Sequence, residues 1–162
     1  MKKVYYSWAD VEKQTQEILR QLHLDDWRPD YIVGLTRGGL IPANLISQYL
    51  DIPMHTLNVS LRDSEIGPES NCWMAEDAFG YPNYDPMASS DGRKRILIVD
   101  DINDSGATLN WIQQDWQSGC LPNDERWNYI WGDNVRVAVL IHNEASKAEL
   151  PISYTAVDLN KA

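Results

Sequence analysis

Apolar and polar positions alternate with a helical period near the start of the chain. Val11, Thr15, Ile18, Leu19 and Leu22 fall on one face, and Ser7 followed three residues later by Asp10 forms a capping-box start. The pattern predicts an amphipathic helix ending near Trp27-Arg28-Pro29. Tyr31-Ile32-Val33 then reads as a short strand reaching Gly34. It leads through Thr36-Arg37-Gly38-Gly39 into a second helix over residues 40–50. Residues 54–61 again read as strand. From 62 to 93 the periodicity is lost, and Gly67, Pro68, Gly80, Pro82, Pro86 and Gly92 punctuate the segment. A structureless stretch of that length is uncommon in a compact domain and predicts a functional flap.

Arg95-Ile96-Leu97-Ile98-Val99 is a continuous apolar run, as expected of a parallel strand covered on both faces. Residues 106–116 follow as helix, with Leu109, Ile112 and Trp116 on one side. A polar, Trp-rich connection at 118–134 precedes further strands at 135–141 and 152–157. This order predicts an α/β fold: a mostly parallel, doubly wound sheet with helices on both faces. A length of 162 residues predicts one domain over 1–162.

Charge and composition narrow the function classes. The formal net charge of −10 argues against a nucleic-acid partner, because such proteins meet phosphates with surplus Lys and Arg. A phosphate ligand would have to be held locally, by backbone N–H groups, a cation and a few basic side chains. Cys72 and Cys120 show no zinc or redox spacing and are expected to be plain thiols of a reducing cytoplasm. The polar start and the lack of any run of 18 apolar residues predict a protein neither exported nor in the membrane.

In open parallel sheets, ligands sit beyond the carboxyl ends of the strands. Two glycine-containing segments occur there. After Val99 come Asp100-Asp101-Ile102-Asn103-Asp104-Ser105-Gly106-Ala107-Thr108. The carboxylates suit ribose hydroxyls or Mg²⁺, while Ser105, Thr108 and the amides of a helix start suit a phosphate. The same residues would also serve as a helix cap beside a solvated acidic pair. After Val33 comes Gly34-Leu35-Thr36-Arg37-Gly38-Gly39-Leu40, which by itself reads equally as a glycine turn with a surface Arg.

As a unit, residues 96–109 closely resemble the signature of the type I phosphoribosyltransferases for phosphoribosyl diphosphate (PRPP). The glycine segment resembles that family's pyrophosphate loop, and the order of segments is similar to the short prokaryotic and phage xanthine-guanine enzymes. The resemblance implies PRPP binding by Thr36, Arg37, Gly38, Gly39, Asp100, Asp101, Asp104, Ser105, Gly106, Ala107 and Thr108. It also implies Mg²⁺ near Asp100 and Asp101, a cis Thr36–Arg37 bond, and a dimer or tetramer. In the implied reaction a purine nitrogen displaces pyrophosphate from C1 of the ribose. Arg37 stabilises the leaving group and Asp104 takes the proton from the base.

Base recognition departs from the family pattern. The 6-oxopurine enzymes place a Lys after the strand matching 135–141, where this chain reads His142-Asn143-Glu144. A neutral His142 or Asn143 can still donate a hydrogen bond to a carbonyl oxygen of the base. Relatives also carry a base-stacking aromatic after the last strand, where this sequence reads Val157-Asp158-Leu159-Asn160-Lys161-Ala162. Trp73, Phe79, Tyr81, Trp127 and Trp131 are the replacement candidates. The expected function is transfer of phosphoribosyl from PRPP to guanine, xanthine or hypoxanthine. The alternatives are a non-catalytic PRPP- or nucleotide-binding regulator and a transferase for a non-purine acceptor.

Overall fold

The computed structural model describes residues 5–59, 72–80 and 92–160. Helix α1 (Trp8–Leu24) opens with the expected reciprocal cap: Ser7 Oγ accepts from the Asp10 N–H, and Asp10 accepts from the Ser7 N–H. Strand β1 (Tyr31–Thr36), helix α2 (Leu40–Leu50) and strand β2 (Met54–Asn58) follow. Helix α3 (Cys72–Phe79), strand β3 (Ile96–Asn103), helix α4 (Ala107–Gly119) and strands β4 (Val135–Asn143) and β5 (Tyr154–Leu159) complete the order.

The five strands form one parallel sheet in the order β2-β1-β3-β4-β5. Because successive side chains in a strand face opposite ways, the sheet's central strands feed two cores. Tyr31, Val33, Leu35, Ile96 and Ile98 pack with Met74, Leu109, Ile112 and Trp116, on the side of α3 and α4. Ile32, Leu97 and Val99 pack with Ile18, Leu22, Ala43 and Ile46, on the side of α1 and α2. The doubly wound expectation therefore holds, with helices on both faces. The chain steps from β1 outward to β2 and then back past β1 to β3. The order reverses between β1 and β3, and ligand crevices form at such a point.

Several boundaries differ from the sequence reading. Strand β3 does not stop at Val99 but runs on to Asn103, because register with β4 continues through Ile102↔Ile141 and Asn103↔His142. The acidic pair thus stands on the strand's end and not in a loop. Strand β2 ends at Asn58, short of the expected 61, whose position lies outside the described residues. The last strand begins two residues later than expected, at Tyr154.

The expected structureless flap contains α3. Residues 60–71 and 81–91 lie outside the described residues, but Met74, Ala75, Ala78 and Phe79 between them are buried in the core. Asp77, 3 % exposed, is buried with them, where the Tyr31 hydroxyl donates to its Oδ2 at 2.9 Å and Lys94 Nζ lies 3.8 Å from its Oδ1. The connection at 118–134 likewise holds a 3-10 helix (Glu125–Tyr129), with Trp127 packed on Phe79 and Trp131. Cys72 and Cys120 are free thiols, and burial pushes the Cys120 thiol upward.

Candidate active site

A cleft of about 510 Å³ lies at the β1/β3 switch point, lined by Thr36, Arg37, Gly38, Val59 and residues 100–109. The two segments singled out in the sequence therefore meet. On the β1 side, Thr36 pairs with Asn58 of β2, and its Oγ1 donates to Asn58 Oδ1 at 3.1 Å. The Thr36–Arg37 peptide bond is cis, as the resemblance implied. Gly38 follows, and a Cβ built there would overlap the Asp101 carboxylate, so only glycine lets the two walls close to this separation. Gly39 caps α2 behind this wall and does not line the cleft.

On the β3 side, the acidic pair is tied down locally. Asp100 Oδ1 accepts from the Asp101 N–H at 2.9 Å, and Asp101 Oδ1 accepts from the Ile102 N–H at 2.8 Å. Burial, reinforced by the hydrogen bond and charge of Asp101, pushes the Asp100 carboxyl up to about 8. Placing two carboxylates side by side in a half-buried wall favours a proton or a cation between them. Among the described residues no cluster of three or more His, Cys, Asp or Glu side chains could hold a metal. A donor set of two carboxylates fits a hard cation that keeps water and takes its remaining ligands from a substrate's phosphates.

Beyond the acidic pair, Asp104 and Ser105 are exposed at the cleft, and Ser105 Oγ accepts from the Ala107 N–H at 3.2 Å. Helix α4 starts at Ala107, so its first-turn amides, together with Ser105 and Thr108, form an anion-receptive end of the cleft. Gly106 holds φ at 89°, a left-handed value, and lies against the backbone of Lys147 and Ala148.

That contact belongs to a clamp that the sequence reading missed. The Lys147 N–H donates to the Ser105 carbonyl at 2.9 Å, and Asn110 Nδ2 donates to the Lys147 carbonyl at 2.9 Å. Asn103 Nδ2 reaches Ser146 Oγ at 2.9 Å and His142 Nδ1 at 3.2 Å, the latter accepting in the tautomer protonated on Nε2. The segment after β4 thus fastens the anion-receptive end of the cleft in place. Asn103, following Ile102 at the end of β3, was the available sequence signal: a buried amide at a strand end requires partners. Ile102, 38 % exposed at the cleft, was also missed.

His142 and Asn143, expected near the base, do not line the cleft. Asn143 is buried, and its Nδ2 donates to Asp104 Oδ1 at 3.1 Å and to the Asp104 carbonyl at 3.3 Å. Of the candidate stacking aromatics, Phe79 and Trp127 are buried against each other and Trp131 packs on Trp116 and Trp127, so all three serve the core. Trp73, 41 % exposed, packs on Tyr31 and His55, and Tyr81 lies outside the described residues. No helix among the described residues is long and apolar enough to cross a membrane.

Residues 3–160 match the family model described as the phosphoribosyl transferase domain. Xanthine phosphoribosyltransferase 1 of Saccharomyces cerevisiae is 25 % identical over 169 residues, covering 93 % of this chain and 78 % of that protein. A xanthine-guanine phosphoribosyltransferase of Cereibacter sphaeroides is 34 % identical over 116 residues, covering 67 % of this chain and 62 % of that protein. Among solved structures, a purine phosphoribosyltransferase from Pyrococcus horikoshii superposes with a TM-score of 0.63 at 24 % identity, covering 99 % of this chain and 91 % of that one. With a parallel sheet, a cis-bonded glycine loop and an acidic strand end converging on one cleft, the chain belongs to the phosphoribosyltransferase family, as a type I member of the 6-oxopurine layout.

Proposed function

We propose that this chain transfers the 5-phosphoribosyl group of PRPP to a 6-oxopurine, releasing pyrophosphate and a nucleoside monophosphate. The observation that carries this reading is the contact of Gly38 with Asp101, which joins the loop bearing Arg37 to the acidic strand end across one cleft. Names of relatives that act on xanthine, guanine and hypoxanthine support the acceptor class.

Asp100 and Asp101 bind the ribose hydroxyls and a Mg²⁺ that enters with PRPP. A Mg²⁺ held by Asp100 and Asp101 would supply charge neutralisation for the departing diphosphate. The 5-phosphate rests on Ser105, Thr108 and the amides that open α4. Arg37 and the backbone of residues 36–38 receive the diphosphate, so positive charge stands ready where negative charge develops. Positive charge builds on the ribose as the bond from C1 to the diphosphate lengthens. The base nitrogen then bonds to C1, and Asp104 accepts the proton it sheds. A cytoplasmic homo-oligomer, dimer or tetramer, completes the reading.

The test is a product assay with PRPP, Mg²⁺ and a panel of guanine, xanthine, hypoxanthine, adenine and orotate, alongside Asp104→Asn. Nucleotide formation with 6-oxopurines, lost or reduced at least 100-fold in Asp104→Asn, is expected. Saturable PRPP binding with no turnover on any base would replace the enzyme by a binding module. Turnover confined to orotate or adenine would move the acceptor class.

A further inference from the structure

Asn143 stands at the end of β4 with its side chain 7 % exposed. A carboxylate only accepts hydrogen bonds, whereas an amide nitrogen only donates. The contacts of 3.1 Å to Asp104 Oδ1 and 3.3 Å to the Asp104 carbonyl therefore run from Asn143 Nδ2. The amide's other end is also engaged, since Asn143 Oδ1 accepts from the Ala145 N–H at 3.1 Å. With both ends used and the residue buried, Asn143 has one orientation.

Asp104 is its opposite. It lies exposed at the cleft, on a short side chain that water alone would leave free to turn. The chain on both sides of the pair is pinned: the Asn103 side chain to His142 and Ser146, the Ser146 N–H to the Asn143 carbonyl at 2.9 Å, and the Lys147 N–H to the Ser105 carbonyl. A buried, fixed donor bonded to an exposed carboxylate is how a proton-accepting group is preorganised.

We propose that Asn143 is a positioning residue for Asp104, holding Oδ1 so that Oδ2 is the atom presented to the base nitrogen. The inference rests on the reading of Asp104 as proton acceptor. It reassigns Asn143 from the base-binding role expected from its place in the sequence. It also accounts for a neutral amide at this position: Asn143 fixes the carboxylate by geometry and contributes no net charge.

The decisive variant is Asn143→Asp, which keeps the shape and the acceptor for the Ala145 N–H but cannot donate to Asp104 once ionised. Its kcat is compared with the parent's across a pH series, so that a proton shared between the two carboxylates does not mask the effect. The expected result is a fall in kcat of about 10–100-fold, with KM for PRPP within about twofold of the parent. The swapped pair, Asp104→Asn with Asn143→Asp, restores the hydrogen bond in reverse. Because the Asp104 carbonyl still loses its donor, it should melt above Asn143→Asp but not above the parent, turn over no faster than Asp104→Asn alone, and still bind PRPP. Should Asn143→Asp fold poorly, Asn143→Ala is read by the same split between kcat and KM.

Parent-like kcat in Asn143→Asp, with Asp104→Asn inactive, would overturn the positioning role while leaving Asp104 as the base. A rise in KM for the purine alone would return Asn143 to base contact. Parent-like turnover in Asp104→Asn would instead remove the reading on which the proposal rests.

Discussion

Gly38 and Asp101 approach so closely across the cleft that no Cβ fits between them. The site therefore depends on a missing side chain as much as on those present. In Gly38→Ala the added methyl must displace either the Asp101 carboxylate or the loop carrying Arg37. Both groups belong to the side of the cleft proposed to hold PRPP, and misplacement by about 1 Å can cost on the order of 100-fold in rate. We expect KM for PRPP to rise at least 10-fold, KM for the base to change little and the melting temperature to hold within a few degrees. Steady-state kinetics with each substrate varied in turn, alongside a thermal melt, check all three.

Asp100 predicts a pH dependence. Its carboxyl is pushed up to about 8 in the folded protein by burial, then by Asp101, whereas in the unfolded chain it titrates near the ordinary carboxylate value. Between those two values the folded state holds a proton that the unfolded state has released, so stability falls as pH rises. The contribution is fully present below about pH 4, declines through the interval and is gone above about pH 8. Asp100→Asn removes the decline. Urea unfolding should show Asn gaining on the parent as pH rises from 5 to 9, by on the order of 2 kcal/mol or more at the upper end. Equal stability at every pH would show that the site relaxes enough to solvate both carboxylates.

The two loops and the winding of the sheet could be read along the chain because their signals are local. Ile96 to Val99 is an unbroken apolar run, and the acidic, hydroxyl and glycine residues that follow are contiguous. What escaped the reading is carried by partners far away in sequence. Strand β3 continues through Asp100 and Asp101 because β4 supplies register as far as His142, which no pattern around Asp100 records. Helix α3 was lost among prolines and glycines because its stability comes from burying Met74, Ala78 and Phe79 against the sheet and α4, and not from eight residues of propensity. Asn143 was expected near the base from its position after a strand, whereas the partner of its side chain is Asp104, 39 residues earlier.

The anchor of α3 can be tested through Tyr31. Its hydroxyl donates to Asp77, a carboxylate buried beneath the helix. Tyr31→Phe keeps the ring contacts with His55 and Trp73 and removes this donor to a buried acceptor. A loss of about 1–3 kcal/mol is expected, lowering the melting temperature by roughly 2–4 °C per kcal/mol in a chain of this size. Hydrogen exchange in residues 72–79 should accelerate more than in β3. Uniform acceleration throughout the sheet would instead mean that α3 unfolds only with the whole domain.

Gly106 and Gly119 bracket helix α4 and predict opposite outcomes for the same substitution. At Gly106, φ is 89°, and an added Cβ would overlap the backbone at Ala148, which cannot swing aside as a side chain can. Gly106→Ala must displace the segment whose Lys147 N–H holds the Ser105 carbonyl, moving the amides that open the helix. A loss of about 1–3 kcal/mol and weaker PRPP binding should appear together. At Gly119 the new Cβ would meet, among the described residues, only Cys72 Sγ, at 3.5 Å, an ordinary contact. Gly119→Ala there restricts the unfolded chain and should stabilise the protein by about 0.4–1 kcal/mol, with PRPP affinity unchanged. Chemical denaturation and calorimetric PRPP titration of both variants give the comparison. A Gly106→Ala protein that lost stability but bound PRPP as tightly as the parent would separate the clamp from the phosphate site.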